Sequence, residues 1–363
     1  MLYSFYSKPK RNISDTEQQV KEKLAAHQNV IITKEVKPDY EYPYRPNLTP
    51  YYFQWHDNIN LNSFSIQTMR KKEELIENVD ASYRIFKIPK HSGGYRKITA
   101  PSPELKALQR EIAKHITKQL KYLPSNNAHG FVTKRNCKTA LNVHQKNGSK
   151  YFLKLDIHDF FGSITTETLW AALANHAAFN TLSASNRYFT IIVATYHGRL
   201  PQGSPLSPLM ANIVLHQFDY DLDRFLKDLN KDFVYTRYAD DILISSKSDF
   251  KDEIRRIIPF IKQKLNSVGC KLAQEKTRYG SYAGRNWNLG IMYNKDGNLT
   301  NGYRKKKYFK NMLHNFETGK YSLEEHKELL RSLQGQIIYA TYIEPEYMEP
   351  YKKRVNDLVA QLT

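Results

Sequence analysis

The chain has 363 residues, 40% of them hydrophobic, so it is long enough to bury a sizeable core and to form two or three domains. Lys and Arg number 55 against 36 Asp and Glu, a formal charge of +19 that points to a polyanionic partner; no run approaches the roughly 18 apolar residues of a membrane span, and no basic amphipathic helix with a broad apolar face favours lipid over nucleic acid. Cys137 and Cys270 have no CxxC or Cys/His spacing, which indicates neither a disulfide framework nor a zinc site; with no leader-like N-terminus, the expected location is a reducing one, the cytoplasm.

Residues 1 to about 60 are polar and rich in Tyr and Pro (KPDYEYPYRPNLTPYYFQWHD), which predicts an extended arm. From Tyr83, YRIFKIPKHSGGYRKITAP alternates apolar and polar residues around Gly93 and Gly94, the pattern of a hairpin. Ser102 and Pro103 then open a helix as cap and first residue, with Leu105, Leu108, Ile112, Ile116 and Leu120 on one face. YFLKLDI, 151–157, reads as a buried strand ending in Asp156, and helices are predicted near 166–178 and 185–197. LPQGSPLSP leads from a loop into one long helix; two strands, FVYTRY and ILIS, flank Asp240 and Asp241; a helix follows with Ile254, Ile257, Ile258, Ile261, Leu265 and Val268 on one stripe. Beyond about 300 the pattern is helical, with the basic cluster YRKKKYFK at 303–310 and apolar-periodic segments near 322–341 and 346–362, which predicts a separate helical module. Strands and helices alternating in this order fit an α+β sheet layered by helices.

The flanking strands place Asp240 and Asp241 in a tight turn at the sheet edge, where the two adjacent carboxylates repel each other. Asp is favoured in turns, so the pair alone is compatible with ordinary turn chemistry. The alternative is a bound divalent cation: hard oxygen ligands suit Mg²⁺, and Asp156 at the end of another strand could supply a third carboxylate. Two such ions would serve an in-line phosphoryl transfer. His129, His144 and His158 have no ligand spacing and read as loop or core histidines.

YADD at 238–241, LDIHDFF at 155–161 and PQGSPLSP at 201–208, in this order, resemble the reverse transcriptases. YRKITAPSPELKALQREI, AHGFVTKRN, GCKLAQEKT at 269–277 and NLGI at 288–291 resemble that family's successive blocks, so the likeness runs from about 84 to 360. It implies a right-hand polymerase fold: an N-terminal arm (1–60), fingers and palm with an antiparallel sheet and packed helices (61–300), and a C-terminal helical thumb (301–363). The resemblance places the catalytic acids on Asp156, Asp240 and Asp241, with the main-chain carbonyl of Ile157 completing the shell of two Mg²⁺ ions, for which Mn²⁺ could substitute. It places Lys90 and Arg96 on the triphosphate of an incoming deoxynucleotide, Phe161 against a ribose 2′-hydroxyl, and Gln202 and Gly203 under the nucleotide and template base. Lys276, Leu289 and Gly290, and the thumb cations Arg304, Lys305, Lys306, Lys307 and Lys310, fall on the nucleic acid, an RNA template and primer with its DNA product.

The length and the segment LLRSLQGQIIYATYIEPEYMEPY resemble the bacterial retron and antiviral-defence enzymes. Against the retron pattern, ALNVH at 140–144 stands for NAxxH, NLG at 288–290 for VTG, and QGSPLSP for QGAPTSP. The expectation is therefore a retron-like enzyme of another branch, acting in phage defence with a structured non-coding RNA and a co-encoded effector protein as further partners, and with no membrane. Two rivals are a nucleic-acid scaffold with a vestigial polymerase site, and untemplated or protein-primed DNA synthesis.

Overall fold

The computed structural model describes residues 79–362 except 91–92, 121, 180–181, 183, 230–231 and 282–287. The Tyr-rich arm at 1–60 lies outside the described residues. In chain order the chain forms β1 (Tyr83–Pro89), β2 (Tyr95–Pro101), α1 (Pro103–Lys114), α2 (Cys137–Lys146), β3 (Tyr151–His158), α3 (Thr166–Asn175), α4 (Ala184–Ala194), α5 (Ser207–Val214) and α6 (His216–Leu229). There follow β4 (Val234–Tyr238), β5 (Asp241–Ser246), α7 (Ile254–Asn266), β6 (Lys271–Leu272), β7 (Arg278–Ser281), β8 (Met292–Tyr293), β9 (Leu299–Thr300), α8 (Tyr303–Glu317), α9 (Lys327–Ile343) and α10 (Pro345–Val359). The protein is thus mixed helix and sheet. No helix among the described residues is long and apolar enough to cross a membrane.

Two compact units arise, each from three chain segments. In the first, β1 and β2 pair antiparallel from Tyr83↔Pro101 to Pro89↔Tyr95, around a turn in which Gly93 and Gly94 both take positive φ. Ser102 caps α1 by accepting from the Leu105 amide at 3.3 Å, and Leu105, Leu108 and Ile112 fill the core as their spacing predicts. The long helix expected after PQGSPLSP is broken: α5 ends at Val214, Leu215 leaves helical geometry, and α6 begins at His216. Met210, Ala211, Ile213 and Val214 are all buried, so α5 is a core helix without a polar face, a feature the apolar count shows but the break does not.

The second unit is built on an antiparallel sheet in the order β4-β5-β3, with β7 also paired to β3. Leu153, Leu155 and Ile157 point into the core, while Lys154 and Asp156 remain partly exposed on the other face, as period-two alternation requires. Phe152 is buried on that second face through a stack with Tyr293, at 5.1 Å between ring centroids. The helices α8–α10 share a core of their own, in which Phe309, Leu313, Leu330, Leu333, Ile337 and Val355 meet.

Candidate active site

Tyr238 pairs with Asp241 across the β4–β5 hairpin, so Ala239 and Asp240 alone form the turn. Ala239 takes φ 56°, a left-handed conformation that normally selects glycine and costs an alanine about 1–2 kcal/mol. The tight turn expected for both acids is therefore corrected: Asp240 sits in it, whereas Asp241 is the first residue of β5. Asp156 is likewise not the end of its strand, which continues to His158.

Strand register does the rest. Asp156 pairs directly with Asp241 between β3 and β5, which sets the two carboxylates on one face of the sheet, about 5 Å apart at Cβ. The Ile157 amide donates to the Asp240 carbonyl at 3.0 Å and fixes the turn against β3. Burial pushes the Asp240 carboxyl above its ordinary pKa, and the charges of Asp241 and Asp156 push the same way, with Lys276 opposing. Lys276 Nζ lies 2.7 Å from Asp156 and Lys154 Nζ 3.3 Å from Asp241, so each strand acid has a cationic neighbour. The hydrogen bond to Asp156 raises the Lys276 pKa, which keeps it charged. Among the described residues no three acids, histidines or cysteines are gathered into a ready cation cage. The donors themselves fit a hard divalent cation: oxygen ligands, paired across two strands, repelling one another when bare.

The hairpin is braced on both faces, Arg237 lying on the face opposite the acids and Thr236 and Ser245 on the acids' own face. Arg237 meets Asp219 of α6 in a two-pronged ion pair, Nε to Oδ1 at 2.8 Å and Nη2 to Oδ2 at 2.7 Å, with both side chains wholly buried. Its Nη1 donates to the carbonyl of the strained Ala239 at 3.2 Å, and Tyr235 donates its hydroxyl to Asp219 at 2.7 Å. The segment 127–130 lies along β4, with the Arg237 amide donating to Asn127 and the His129 amide to the Arg237 carbonyl, each at 2.7 Å. A Cβ on Gly130 would meet the Ala239 nitrogen at 2.4 Å, so only glycine permits this approach. From α2, the buried His144 places its ring nitrogens 2.6 Å from Ser245 Oγ and 2.8 Å from Thr236 Oγ1, one on each strand of the hairpin. The sequence singled out neither Asp219 nor Arg237 as a pair; a charged residue inside an apolar strand, RYADD after FVYT, was the available signal.

The remaining candidates for the nucleotide lie in the first unit. Gln109, fully buried on α1, donates to Tyr83 Oη and the Val193 carbonyl and accepts from Ser204 Oγ, each at 2.8 Å, which ties the PQGSP loop to the hairpin strand β1 and to α4. The Thr99 amide donates to the Gln202 carbonyl at 2.8 Å, and Gly203, at φ 134°, lies so close to Thr99 that a Cβ would meet its carbonyl oxygen at 2.8 Å. Gln202 and Gly203 are thus fixed against β2, the strand that carries Arg96. Arg96 and Lys90 are exposed. Phe161 is half-buried beside Phe160, at 5.0 Å between centroids, and Phe160 is the one in the core.

In the second unit Leu289 and Gly290 both take positive φ between Asn288 and Ile291, which exchange two backbone hydrogen bonds of 2.9 Å. A leucine so held is strained, as residues at binding sites often are. Lys305 donates to the Gly290 carbonyl at 2.9 Å, and burial lowers its pKa. Lys306 is engaged inside the helical module by Glu344 and by the Tyr347 ring, 3.9 Å from its centroid. Arg304, Lys307 and Lys310 are exposed on α8.

The family described as reverse transcriptase (RNA-dependent DNA polymerase) matches residues 88–313. The chain is 31% identical to the retron Ec83 reverse transcriptase of Escherichia coli over 288 residues, covering 76% of this chain and 87% of that protein. It is 30% identical to the retron Mx65 reverse transcriptase of Myxococcus xanthus over 292 residues, 75% of this chain and 64% of that longer protein. The retron Ec86 reverse transcriptase of E. coli is 27% identical over 275 residues, covering 75% of this chain and 80% of that protein. Among solved structures, telomerase from Candida albicans with the TWJ fragment of telomeric RNA matches at a TM-score of 0.45 and 13% identity, covering 80% of this chain and 65% of that one.

Proposed function

Because the chain belongs to the reverse transcriptases, the RNA-directed DNA polymerases, and to their bacterial retron-like group, we propose that Asp156, Asp240 and Asp241 are the acids at which it joins deoxynucleotides. The observation that carries this reading is the register Asp156↔Asp241, which brings a third carboxylate from a distant segment to the tandem pair. The three acids, with the Ile157 carbonyl, would hold two Mg²⁺ ions, or Mn²⁺ in their place. Such ions, when bound, lower the pKa of an attacking hydroxyl and offset charge on the leaving oxygen. The chain's own part is to fix the acids: Arg237 and Gly130 hold the turn of Asp240, and the β3–β5 pairing holds Asp156 against Asp241.

Within this reading, Arg96 and Lys90 bind the triphosphate, since fixed cations oppose its charge and a guanidinium can take two phosphate oxygens. Gln202 and Gly203 support the nucleotide, and Phe161 excludes a 2′-hydroxyl. Leu289 and Gly290 support the primer end. Arg304, Lys307 and Lys310, with Lys305 and Lys306, track the backbone of the template–primer duplex through phosphate contacts. The chain divides into an arm (1–60), fingers and palm (61–300) and a thumb (301–363). Within the same reading the chain works in the cytoplasm in anti-phage defence, beside a structured non-coding RNA and a co-encoded effector.

The test is the double variant Asp240→Asn, Asp241→Asn with Mg²⁺, an RNA template, a DNA primer and labelled deoxynucleotides. Incorporation should fall by at least about three orders of magnitude with the melting curve retained. Undiminished incorporation would remove the assignment.

A further inference from the structure

A cavity of about 320 Å³ opens beside the acids, lined by Lys154, Asp156, Asp241, Lys276, Arg278 and Asn288 among others. Register builds its floor. Lys154 on β3 faces Arg278 on β7, and two residues along the same strand Asp156 faces Asp241 on β5. A pair of cations therefore stands about 7 Å along the strand from a pair of anions, on one face of the sheet. Arg278 is pre-positioned: its Nη1 donates to the carbonyls of Glu275 at 2.8 Å and Thr277 at 2.7 Å. No carboxylate lies within ion-pair distance of Arg278 among the described residues. Among the described residues Lys154 pairs with Asp241 alone, at 3.3 Å, and both side chains are about a third exposed, a contact that an arriving anion can displace.

We propose that Lys154 and Arg278 form a phosphate-binding subsite that takes a phosphodiester of the primer strand just behind its growing end. The inference rests on the polymerase reading of the acids. A strand end brought to Asp156 and Asp241 carries phosphates into a field of carboxylates, and two cations on the adjacent strands offset that repulsion; a guanidinium and an ammonium are the side chains suited to phosphate oxygens. The cavity points to the primer rather than the leaving group, because its wall includes Asn288, which opens the strained Leu289–Gly290 turn assigned to the primer end. Pyrophosphate shares the chemistry and is the source the test must separate.

The experiment uses the full chain, a DNA primer on an RNA template, and fluorescence anisotropy from about 50 to about 200 mM salt. Lys154→Gln, Arg278→Gln and Arg278→Lys are compared, each with a thermal melt and with inhibition by inorganic pyrophosphate. Each glutamine variant should weaken primer–template binding about three- to tenfold and lower the slope of log affinity against log salt by about 0.7–1, whereas Arg278→Lys keeps the slope. Pyrophosphate inhibition should not change. Should Arg278→Gln loosen the backbone it anchors, Lys154→Gln carries the test alone. Unchanged affinity and slope in a folded Lys154→Gln variant overturn the subsite, as does weakened pyrophosphate inhibition with primer binding intact, or a wild-type chain that binds no primer–template. Wild-type binding without incorporation would instead sink the polymerase reading and leave the subsite measurable.

Discussion

Arg237 and Asp219 form an ion pair with no solvent exposure on either side chain, 2.7 Å between Nη2 and Oδ2, directly beneath the turn that carries Asp240. Removing one member leaves the other charge buried and unpaired, so Asp219→Asn should destabilise the fold by about 3–5 kcal/mol in chemical denaturation. Replacing both by apolar residues, Asp219→Leu with Arg237→Met, should recover much of that stability but not activity, because the Arg237 bond to the Ala239 carbonyl is gone. Recovery of both together would show that the pair is structural alone.

Gly130→Ala separates placement of the turn from stability in another way. Its methyl would lie 2.4 Å from the Ala239 nitrogen and 3.0 Å from the Tyr238 carbonyl carbon, both backbone, so the turn has to move. A displacement near 1 Å at a reacting centre lowers turnover by about 100-fold. Gly335→Ala, within α9 and with no atom within 4 Å of the new methyl, is the control and should stabilise by about 0.5–1 kcal/mol. Equal incorporation by the Gly130 variant and wild type would count against the placement of Asp240.

Acid should unfold the protein partly through His144. Burial pushes this histidine down to about 3 from 6.5, and burial with the nearby Arg135 charge takes His129 down to about 4. A histidine whose folded pKa is depressed stays neutral in the native state while the unfolded chain takes up a proton. The stability it supplies is present above pH 6.5 and is lost as pH falls toward about 4 and 3. Each can contribute up to about 1.4 kcal/mol per pH unit in that window. Asp240 acts with the opposite sign: its raised pKa favours the native state below the ordinary value of 3.8, an advantage lost as pH rises through the folded value. His144→Gln should flatten the profile between pH 6.5 and about 4 by close to one proton, and Asp240→Asn should raise stability at neutral pH, both read from urea unfolding without divalent ions. An unaltered slope in His144→Gln would contradict the neutral, buried state.

Phe161 tests the sugar preference. Half-buried against Phe160 on the turn after β3, it can lose its ring with little damage to the core. Phe161→Ala should narrow discrimination against ribonucleotides by about 10- to 200-fold in single-nucleotide incorporation, with deoxynucleotide use changed only a few-fold. The same selectivity in the variant would move the gate elsewhere.

Local chemistry made much of this legible. The glycine pair of the first hairpin, the Ser102–Pro103 helix start, the buried β3 strand and the stripes of α1 and α7 follow from short-range spacing and turn propensity, which act within a few residues. The acids could be named as chemistry but not as a site. Asp156 and Asp241 are 85 positions apart in the chain, and only the register of β3 on β5 makes them neighbours; a slip of one residue would turn one of them to the core face. The same register decided the Lys154–Arg278 pair, and packing decided that Arg237 and Asp219 are buried together rather than solvated. The sequence by itself determined which side chains carry charge and where the main strands and the amphipathic helices lie, because those depend on neighbours in the chain; the break between α5 and α6 it did not determine. Tertiary structure alone decided which charges meet, which lose water and which backbone turns are held in strain, because those depend on strand pairing and burial across distances that no local pattern encodes.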